Sequence, residues 1–247
     1  ATAAKICHDA KAAMRLLGRL GVPLAGVTGD RLLAAYLLNP ARTNQSLADL
    51  SDEYLQTRLG SPPAIEGPIS LESSTIAGAF AHAACTVRRL HTVLLPQLAQ
   101  RHLDALYHEL ELPLAGVLAQ METTGVAVDV AYLKGLQSTM DARLTQLTQE
   151  LYELAGCTFN LNSPKQLAQV LFERLKLPVV KRTKTGASTD SEVLQRLSAE
   201  HPLPKRLLEY RELTKLVSTY VEALPKLVDP DTGRIHASFN QTATATG

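Results

Sequence analysis

The residues in this sequence that are best suited to chemistry are cationic and polar side chains in its C-terminal half. Arg211, Lys215 and Ser218 are spaced i, i+4 and i+7, so they share one stripe of a predicted helix. Because the other positions of that helix are apolar on more than one side, it presents a single cationic ridge, which suits phosphate groups. The alternative is a local ion pair between Arg211 and Glu209 or Glu212.

A second group of polar residues precedes a predicted helix. Asn160, Asn162 and Ser163 stand just before its first turn, where free backbone N–H groups favour a phosphate. Capping of the helix by Ser163 is an equally good explanation.

Two further segments have polar residues without a helical pattern. Residues 181–186 form a basic, flexible tip between two predicted helices, and Thr242, Thr244 and Thr246 alternate at the C-terminal end. These hydroxyl groups could contact phosphate or sugar, or they could simply belong to an extended strand.

The familiar nucleotide and hydrolase motifs are missing from the sequence. It contains no P-loop, no GxGxxG, no GxSxG and no HExxH, and its seven histidines are dispersed. His8 and Asp9 could bind a metal, but a capping aspartate beside an exposed histidine explains the pair more simply. We therefore predict neither a catalytic residue nor a metal site.

Composition excludes several classes of protein. Of the 247 residues, 45% are apolar and 20% charged, as in globular proteins. The net charge of +1 excludes a strongly basic arm or an acidic tail over the whole chain, and 4% aromatic residues without Trp argue against a base-stacking platform. Residues 161–226 nevertheless hold 12 Lys+Arg against 7 Asp+Glu, which fits a polyanionic partner or a solvated charged face.

The three cysteines, Cys7, Cys85 and Cys157, are too scattered for a disulfide framework and indicate a reducing, cytoplasmic environment. No apolar run is long enough to span a membrane. The N-terminus lacks a signal peptide and a starting Met, so we expect it to lie inside a longer chain. We expect a monomer.

The elements that position the polar residues of the C-terminal half are predicted to be helical. Asp129 begins a long helix with an apolar stripe from Leu133 to Leu154, and Gly156 ends it. The residues 163–166 (Ser-Pro-Lys-Gln) predict another helix that starts with a capping box.

Two more helices and a strand complete this half. Thr189 and Glu192 predict a second capping box, and a helix of about 20 residues runs from Pro204 to Leu224. A turn at 229–233 leads to a half-buried strand from Arg234 to Asn240, because its residues alternate between apolar and polar.

The first 110 residues are predicted to combine one strand with several helices. The predicted elements are a strand at 5–7, two helices capped by Asp9 and Asp30, and a short helix from Ser46 to Leu55. A loop at 58–74 and a helix from Ile76 to about Leu110 that Pro96 interrupts follow them.

Several stretches closely resemble the bacterial family A DNA polymerases, in the same order and spacing. They are residues 159–167, 181–188, 210–220, 231–236 and 239–247. The resemblance runs without a gap from about Leu112 to the last residue. Residues 1–110 are similar, more weakly, to the later part of that family's 3′–5′ exonuclease domain.

The resemblance implies a right-hand polymerase whose helical thumb holds the minor-groove side of primer–template DNA. The positions that match the family's contacts to the DNA backbone are Asn160, Asn162, Ser163, Lys181, Lys184, Thr185, Ser188, Arg211, Lys215, Thr244 and Thr246. Backbone contacts position a duplex without reading its sequence, which is what a replicative enzyme needs.

Two departures from the family pattern limit what we expect of the chain. The exonuclease carboxylates fall at Ala12 or Ala13 and, after Phe80, at Ala84, and the leading carboxylate pair would precede Ala1. Neutral methyl groups cannot bind the two metal ions of such an exonuclease. We therefore expect this region to be inactive and structural.

The second departure is at the C-terminal end. The family's catalytic aspartates and nucleotide-binding fingers lie beyond Gly247. Magnesium and deoxynucleoside triphosphates are therefore expected for the parent polymerase, and none for this chain.

We predict a mostly α fold with a minor α/β part. It comprises a partial ribonuclease-H-like exonuclease remnant (1–110), a helical thumb (111–228) and the first strands of a palm (229–247). The predicted function is that of an internal fragment of a DNA-directed DNA polymerase of replication and repair, which binds primer–template DNA and is inactive alone. The alternatives are a helical protein-interaction module with the stripe from Leu133 to Leu154 exposed, and a chain that retains exonuclease activity.

Overall fold

The computed structural model describes residues 3–42, 44–59, 74–183 and 186–244. The chain forms two compact units: the first unit is Ala1–Gly125 together with His236–Gly247, and the second unit is Val126–Ile235. Both are mainly helical. The predicted domain boundaries near 110 and 228 differ from the limits of these units, and the assignment of exonuclease-like, thumb and palm domains stays a prediction.

Helices account for most of the described residues. The α-helices are α1 (Ala10–Arg19), α2 (Arg31–Leu38), α3 (Leu47–Leu55), α4 (Ser74–Gln100), α5 (Leu112–Thr124), α6 (Val130–Ala155), α7 (Pro164–Ala168), α8 (Ser191–Leu197), α9 (Pro202–Leu216) and α10 (Ala223–Lys226). Three π-helical turns adjoin them: π1 (Leu106–Glu111), π2 (Gln169–Arg174) and π3 (Val217–Val221).

The strands are short and form two-stranded sheets. They are β1 (Lys5–Cys7), β2 (Val27–Asp30), β3 (Val126–Ala127), β4 (Arg182–Thr183), β5 (Gly186–Ala187) and β6 (Arg234–Ile235). β1 pairs with β2 in parallel, whereas β3 with β6 and β4 with β5 are antiparallel pairs. The strand at β1 was predicted, and β2 was not, because its four residues show no apolar alternation.

Local capping determines where the helices of the first unit begin. The predicted caps Asp9 and Asp30 are confirmed, because each side chain accepts a backbone N–H of the following turn. Ser46 caps α3 in the same way. Asp30 is also buried and accepts from Ala10 N at 2.6 Å, so one carboxylate holds the starts of both α1 and α2. Its burial raises the pKa of this carboxyl group.

The core of the first unit lies between α2, α3 and α4. Leu90, Leu94 and Leu98 of α4 are fully or almost fully buried against this cluster. The expected break at Pro96 is wrong, because α4 continues to Gln100 with Leu94 and Leu98 buried on either side of the proline. Most of the predicted loop at 58–74 lies outside the described residues.

The core of the second unit lies between α6, α8 and α9. α6 has the predicted Asp129 cap and ends at Gly156, whose φ is 65°. The stripe from Leu133 to Leu154 is half-buried or buried, and α6 packs against α9. The exposed stripe that the interaction-module alternative requires is therefore not present.

Two predicted helix starts in the second unit are wrong. α8 is capped by Asp190, which accepts from Val193 N at 2.9 Å, and not by Thr189, because the aspartate is the charged acceptor next to the first turn. α9 starts at Pro202 and not at Pro204, with His201 Nδ1 accepting from Leu203 N. The single helix expected up to Leu224 is divided by π3.

The predicted strand from Arg234 to Asn240 is also largely wrong. Only Arg234 and Ile235 pair as a strand, with Ala127 and Val126. From His236 onward the hydrogen bonds go to Glu122 and neighbouring groups of the first unit, which compete with strand pairing. Among the helices that the structure describes, none has the length and hydropathy needed to cross a membrane.

Candidate nucleic-acid interface

Asn160, Asn162 and Ser163 lie in the second unit, where they shape the start of α7. Asn160 Oδ1 accepts from Asn162 N at 2.9 Å, and Ser163 Oγ accepts from Gln166 N at 3.4 Å. The predicted reciprocal bond of a capping box does not form, because Gln166 Oε1 accepts from Asn160 N at 2.7 Å instead. Since the Ser163 hydroxyl donates to no group among the described residues, it can donate to an anion.

The basic tip is a small hairpin made by β4 and β5. Ser188 N donates to Lys181 O at 2.9 Å and closes its base, whereas Lys184 and Thr185 lie outside the described residues. Ser188 is 7% exposed, and its Oγ accepts from Asp190 N at 3.3 Å. The described basic residues Lys181 and Arg182 are thus exposed at a hydrogen-bonded base.

Lys181 is not a free cation in this structure. Its Nζ lies 2.9 Å from Asp190 Oδ2 and 4.0 Å from Glu192 Oε2, and the hydrogen bond that Lys181 donates to Asp190 raises the pKa of Lys181. The pKa of Asp190 is lowered to about 2, first by the hydrogen bond from Val193 N and then by Lys181. A phosphate that approaches Lys181 would have to compete with this carboxylate.

Arg211 extends from α9 towards the residue that precedes α8. Its Nη1 donates to Thr189 O at 2.7 Å, which uses one of the five guanidinium N–H groups. Burial lowers the pKa of Arg211, but a guanidinium remains charged at neutral pH. The local alternative does not occur: Glu209 pairs with Arg143 and Arg206, and no ion pair joins Glu212 to Arg211 among the described residues.

Three of the predicted contact residues meet at one cleft of the second unit. Ser163, Ser188 and Arg211 line this cleft, whose volume is about 830 Å³. Its other polar residues include Lys165 and, of opposite charge, Glu173 and Asp190. The cleft thus offers hydroxyl and guanidinium donors in a nearly charge-balanced setting.

Lys215 is the exposed cation of the predicted ridge. It stands in the last turn of α9, and none of the described carboxylates lies within ion-pair range of its Nζ. Ser218 follows in π3 and donates to Lys215 O at 3.4 Å. The wider turn of π3 therefore changes the regular i, i+4, i+7 stripe after Lys215.

The threonines at the C-terminal end belong to the first unit. Thr244 O and Thr244 Oγ1 lie 3.0 Å and 2.9 Å from the hydroxyl oxygen of Tyr36, and Thr246 lies outside the described residues. Thr242 N donates to Asn240 Oδ1 at 3.0 Å. Thr244 is thus an exposed residue whose polar groups are held by a buried tyrosine.

Sequence reasoning missed a polar cluster of the first unit that surrounds a buried carboxylate. Glu122 has a fully buried side chain that contacts Lys11 Nζ at 2.6 Å and Arg15 Nη1 at 2.7 Å. A lone carboxylate in the otherwise apolar α5 was the available signal. Among the described residues, no group of three or more His, Cys, Asp or Glu side chains could hold a metal ion.

Comparison with known proteins identifies the class of protein to which this chain belongs. Residues 130–247 match the family model for DNA polymerase family A, and residues 1–65 match the model for the ribonuclease H-like domain of DNA polymerase I. The chain is also 39% identical to the POL domain of Pol1 from M. smegmatis, solved with DNA primer-template and dNTP, with a TM-score of 0.83 over 99% of this chain and 40% of that chain. The chain belongs to DNA polymerase family A.

Its relatives within that family are named DNA polymerase I. The chain is 42% identical over 250 residues to the enzyme of Geobacillus stearothermophilus and 38% identical over 247 residues to that of Bacillus subtilis (strain 168). These alignments cover 100% and 98% of this chain and 28% of each relative. The predicted family and the predicted, mostly helical fold class are thereby confirmed, and the interaction-module alternative is not favoured.

Proposed function

We propose that this chain serves template-directed DNA synthesis, in replication and repair, by holding primer–template DNA through its sugar-phosphate backbone. The single observation that carries the proposal is the cleft of the second unit, where Ser163, Ser188 and Arg211 present donors to one space. Phosphate oxygens only accept hydrogen bonds, so a surface of hydroxyl and guanidinium donors matches them. The family membership and the DNA-bound relative support the same conclusion.

The remaining predicted contacts extend this surface. Lys215 adds an exposed charge, and Asn160 and Asn162 add amides beside α7. Lys181 adds another charge once its ion pair with Asp190 is broken. Since none of these groups needs to touch a base edge, the binding would be independent of sequence. Lys184, Thr185 and Thr246 remain proposed contacts on sequence grounds alone.

The chemical step of such a polymerase requires groups that we do not assign to this chain. Family A DNA polymerases are DNA-synthesising enzymes that generally use divalent metals, and two ions of magnesium would hold the attacking and leaving oxygens. The described residues offer no carboxylate cluster for them. Primer–template DNA is therefore the proposed partner of this chain. Magnesium and deoxynucleoside triphosphates are the proposed partners of the whole polymerase. We also propose a cytoplasmic, monomeric protein.

The test is binding of a fluorescent primer–template duplex at several salt concentrations. We expect weak binding whose log–log salt dependence has a slope of about −0.9 for each phosphate neutralised. A variant with Lys181, Arg211 and Lys215 changed to Gln should lose most of the affinity and flatten this slope.

The matched control changes three exposed lysines elsewhere on the same unit, Lys134, Lys205 and Lys226, to Gln. It removes the same charge but should retain most of the affinity. Equal losses in the two variants would mean that net charge alone drives binding, and the proposed interface would be rejected.

A further inference from the structure

The C-terminal segment, which we define as residues 236–244, is held by side chains of the first unit's helices. It contains a turn at 241–242 and no described helix or strand. Gln241 Nε2 donates to Glu111 Oε2 at 2.6 Å, and His236 Nδ1 lies 2.8 Å from Glu122 O. The conformation of the segment is therefore set largely by groups outside it.

Glu122 is the anchor of this arrangement. Its carboxylate accepts from Phe239 N at 2.7 Å and from Lys11 Nζ, and it forms an ion pair with Arg15. Lys11 also donates to Phe239 O. Burial alone would raise the pKa of Glu122, but the hydrogen bonds from Lys11 and Phe239 outweigh it and the pKa is lowered. The buried carboxylate is thus kept ionised by the groups that hold the segment.

Tyr36 makes the contact nearest to the end of the segment. The tyrosine is 2% exposed, and its hydroxyl lies within 3.0 Å of both Thr244 O and Thr244 Oγ1. A phosphate can only accept, so Thr244 must donate its single hydroxyl proton to bind one. Tyr36 has one hydroxyl proton, which it can donate either to Thr244 O or to Thr244 Oγ1. When Tyr36 donates to Oγ1, the threonine proton is directed away from Tyr36 and can be donated to a phosphate, and these two hydrogen bonds strengthen each other.

We propose that Tyr36 is a positioning residue for Thr244 and that Glu122 anchors the segment on which Thr244 stands. The helices of the first unit would then contribute to DNA binding without touching the DNA. This inference rests on the proposed function, because it takes Thr244 to be a contact to the DNA backbone.

The first test is a double-mutant cycle in duplex binding with the whole chain. Thr244→Val should weaken binding about 5- to 10-fold and Tyr36→Phe about 2- to 5-fold, as expected for lost hydrogen bonds. The double variant should be no weaker than Thr244→Val alone, because Tyr36 acts through the Thr244 hydroxyl. Thr244→Ser retains a hydroxyl and should retain both the affinity and the sensitivity to Tyr36→Phe.

The matched control is Tyr54→Phe, which removes the hydroxyl of a partly buried tyrosine elsewhere in the same unit and should leave binding unchanged. If Thr244→Val weakens binding but Tyr36→Phe does not, or if the two effects multiply, the positioning role is overturned and the proposed function stands. If Thr244→Val has no effect while the triple charge variant loses binding, the inference fails and the cleft remains the interface. If the variant with Lys181, Arg211 and Lys215 changed to Gln keeps the wild-type affinity, this separate result rejects the proposed function itself.

The second test examines the anchor by amide hydrogen exchange. Glu122→Gln should increase exchange in residues 236–244 on the order of tenfold, with little change in residues 130–235. Unchanged exchange at Phe239 would overturn the anchoring role. Should Glu122→Gln fail to fold, the Tyr36 series still decides the proposal.

Discussion

Replacing Lys215 by Ala tests the proposed interface at its most exposed charge. Because the ammonium group is exposed and no described carboxylate lies within ion-pair range, its full charge is available to a phosphate. Losing one phosphate contact should reduce the magnitude of the log–log salt slope by about 0.9. The ratio of wild-type to variant affinity should therefore fall about 3.5-fold when salt rises from roughly 50 to 200 mM.

The assay is fluorescence anisotropy of a primer–template duplex at four or more salt concentrations, with the slope as the measured quantity. Lys134→Ala is the control, since Lys134 is also exposed on the second unit and its loss changes the net charge equally. A local contact predicts that only the Lys215 variant changes the slope. The reasoning is refuted if both variants, or neither, change it.

Four further predictions concern other parts of the chain. Asp190→Asn should strengthen duplex binding about 2- to 5-fold in the same assay, because it frees Lys181 from an exposed ion pair whereas Asn still caps α8. Gly29→Ala should lower the free energy of unfolding in urea by about 1–3 kcal/mol, since the added Cβ would overlap Arg31 Nη2. In Gly18→Ala of α1 the added Cβ meets open space, so this change should instead raise the free energy of unfolding by about 0.5–1 kcal/mol. Finally, magnesium-dependent degradation of single-stranded DNA should be undetectable, and turnover would contradict the expected loss of exonuclease chemistry.

Local hydrogen bonding explains which parts of the fold could be predicted from sequence. Asp9, Asp30, Ser46 and Asp129 each cap a helix through an N–H two or three residues away, so the signal lies within one turn. The wrong prediction at Thr189 arose where two adjacent residues could both cap, and the carboxylate of Asp190 prevailed.

Long-range contacts explain what the sequence did not reveal. The pattern of residues 234–240 predicts a strand, but Phe239 N donates to Glu122, which is more than a hundred positions earlier in the chain. The contact between Tyr36 and Thr244 is of the same kind. No local periodicity records such pairings, and only the folded chain brings these groups together.

The same distinction applies to the candidate site. Residue type predicted Arg211 as a cation, but only the structure shows that it also holds Thr189 O and lines a cleft with Ser163 and Ser188. Likewise, the sequence marks Lys181 as basic and gives no sign of its pairing with Asp190.

Charge pairing within the site has a consequence for how DNA would be held. A phosphate at Lys181 displaces Asp190, and a phosphate in the cleft also meets Glu173, so part of each favourable contact is offset by a broken or repulsive one. Arg211 differs, because its hydrogen bond goes to a neutral carbonyl and it forms no ion pair among the described residues, although Asp190 lines the same cleft. The affinity of the second unit should therefore depend mainly on Arg211 and Lys215, and it should be low. Low affinity spread over backbone contacts suits the proposed function, because a polymerase must hold a duplex and still advance along it after each addition.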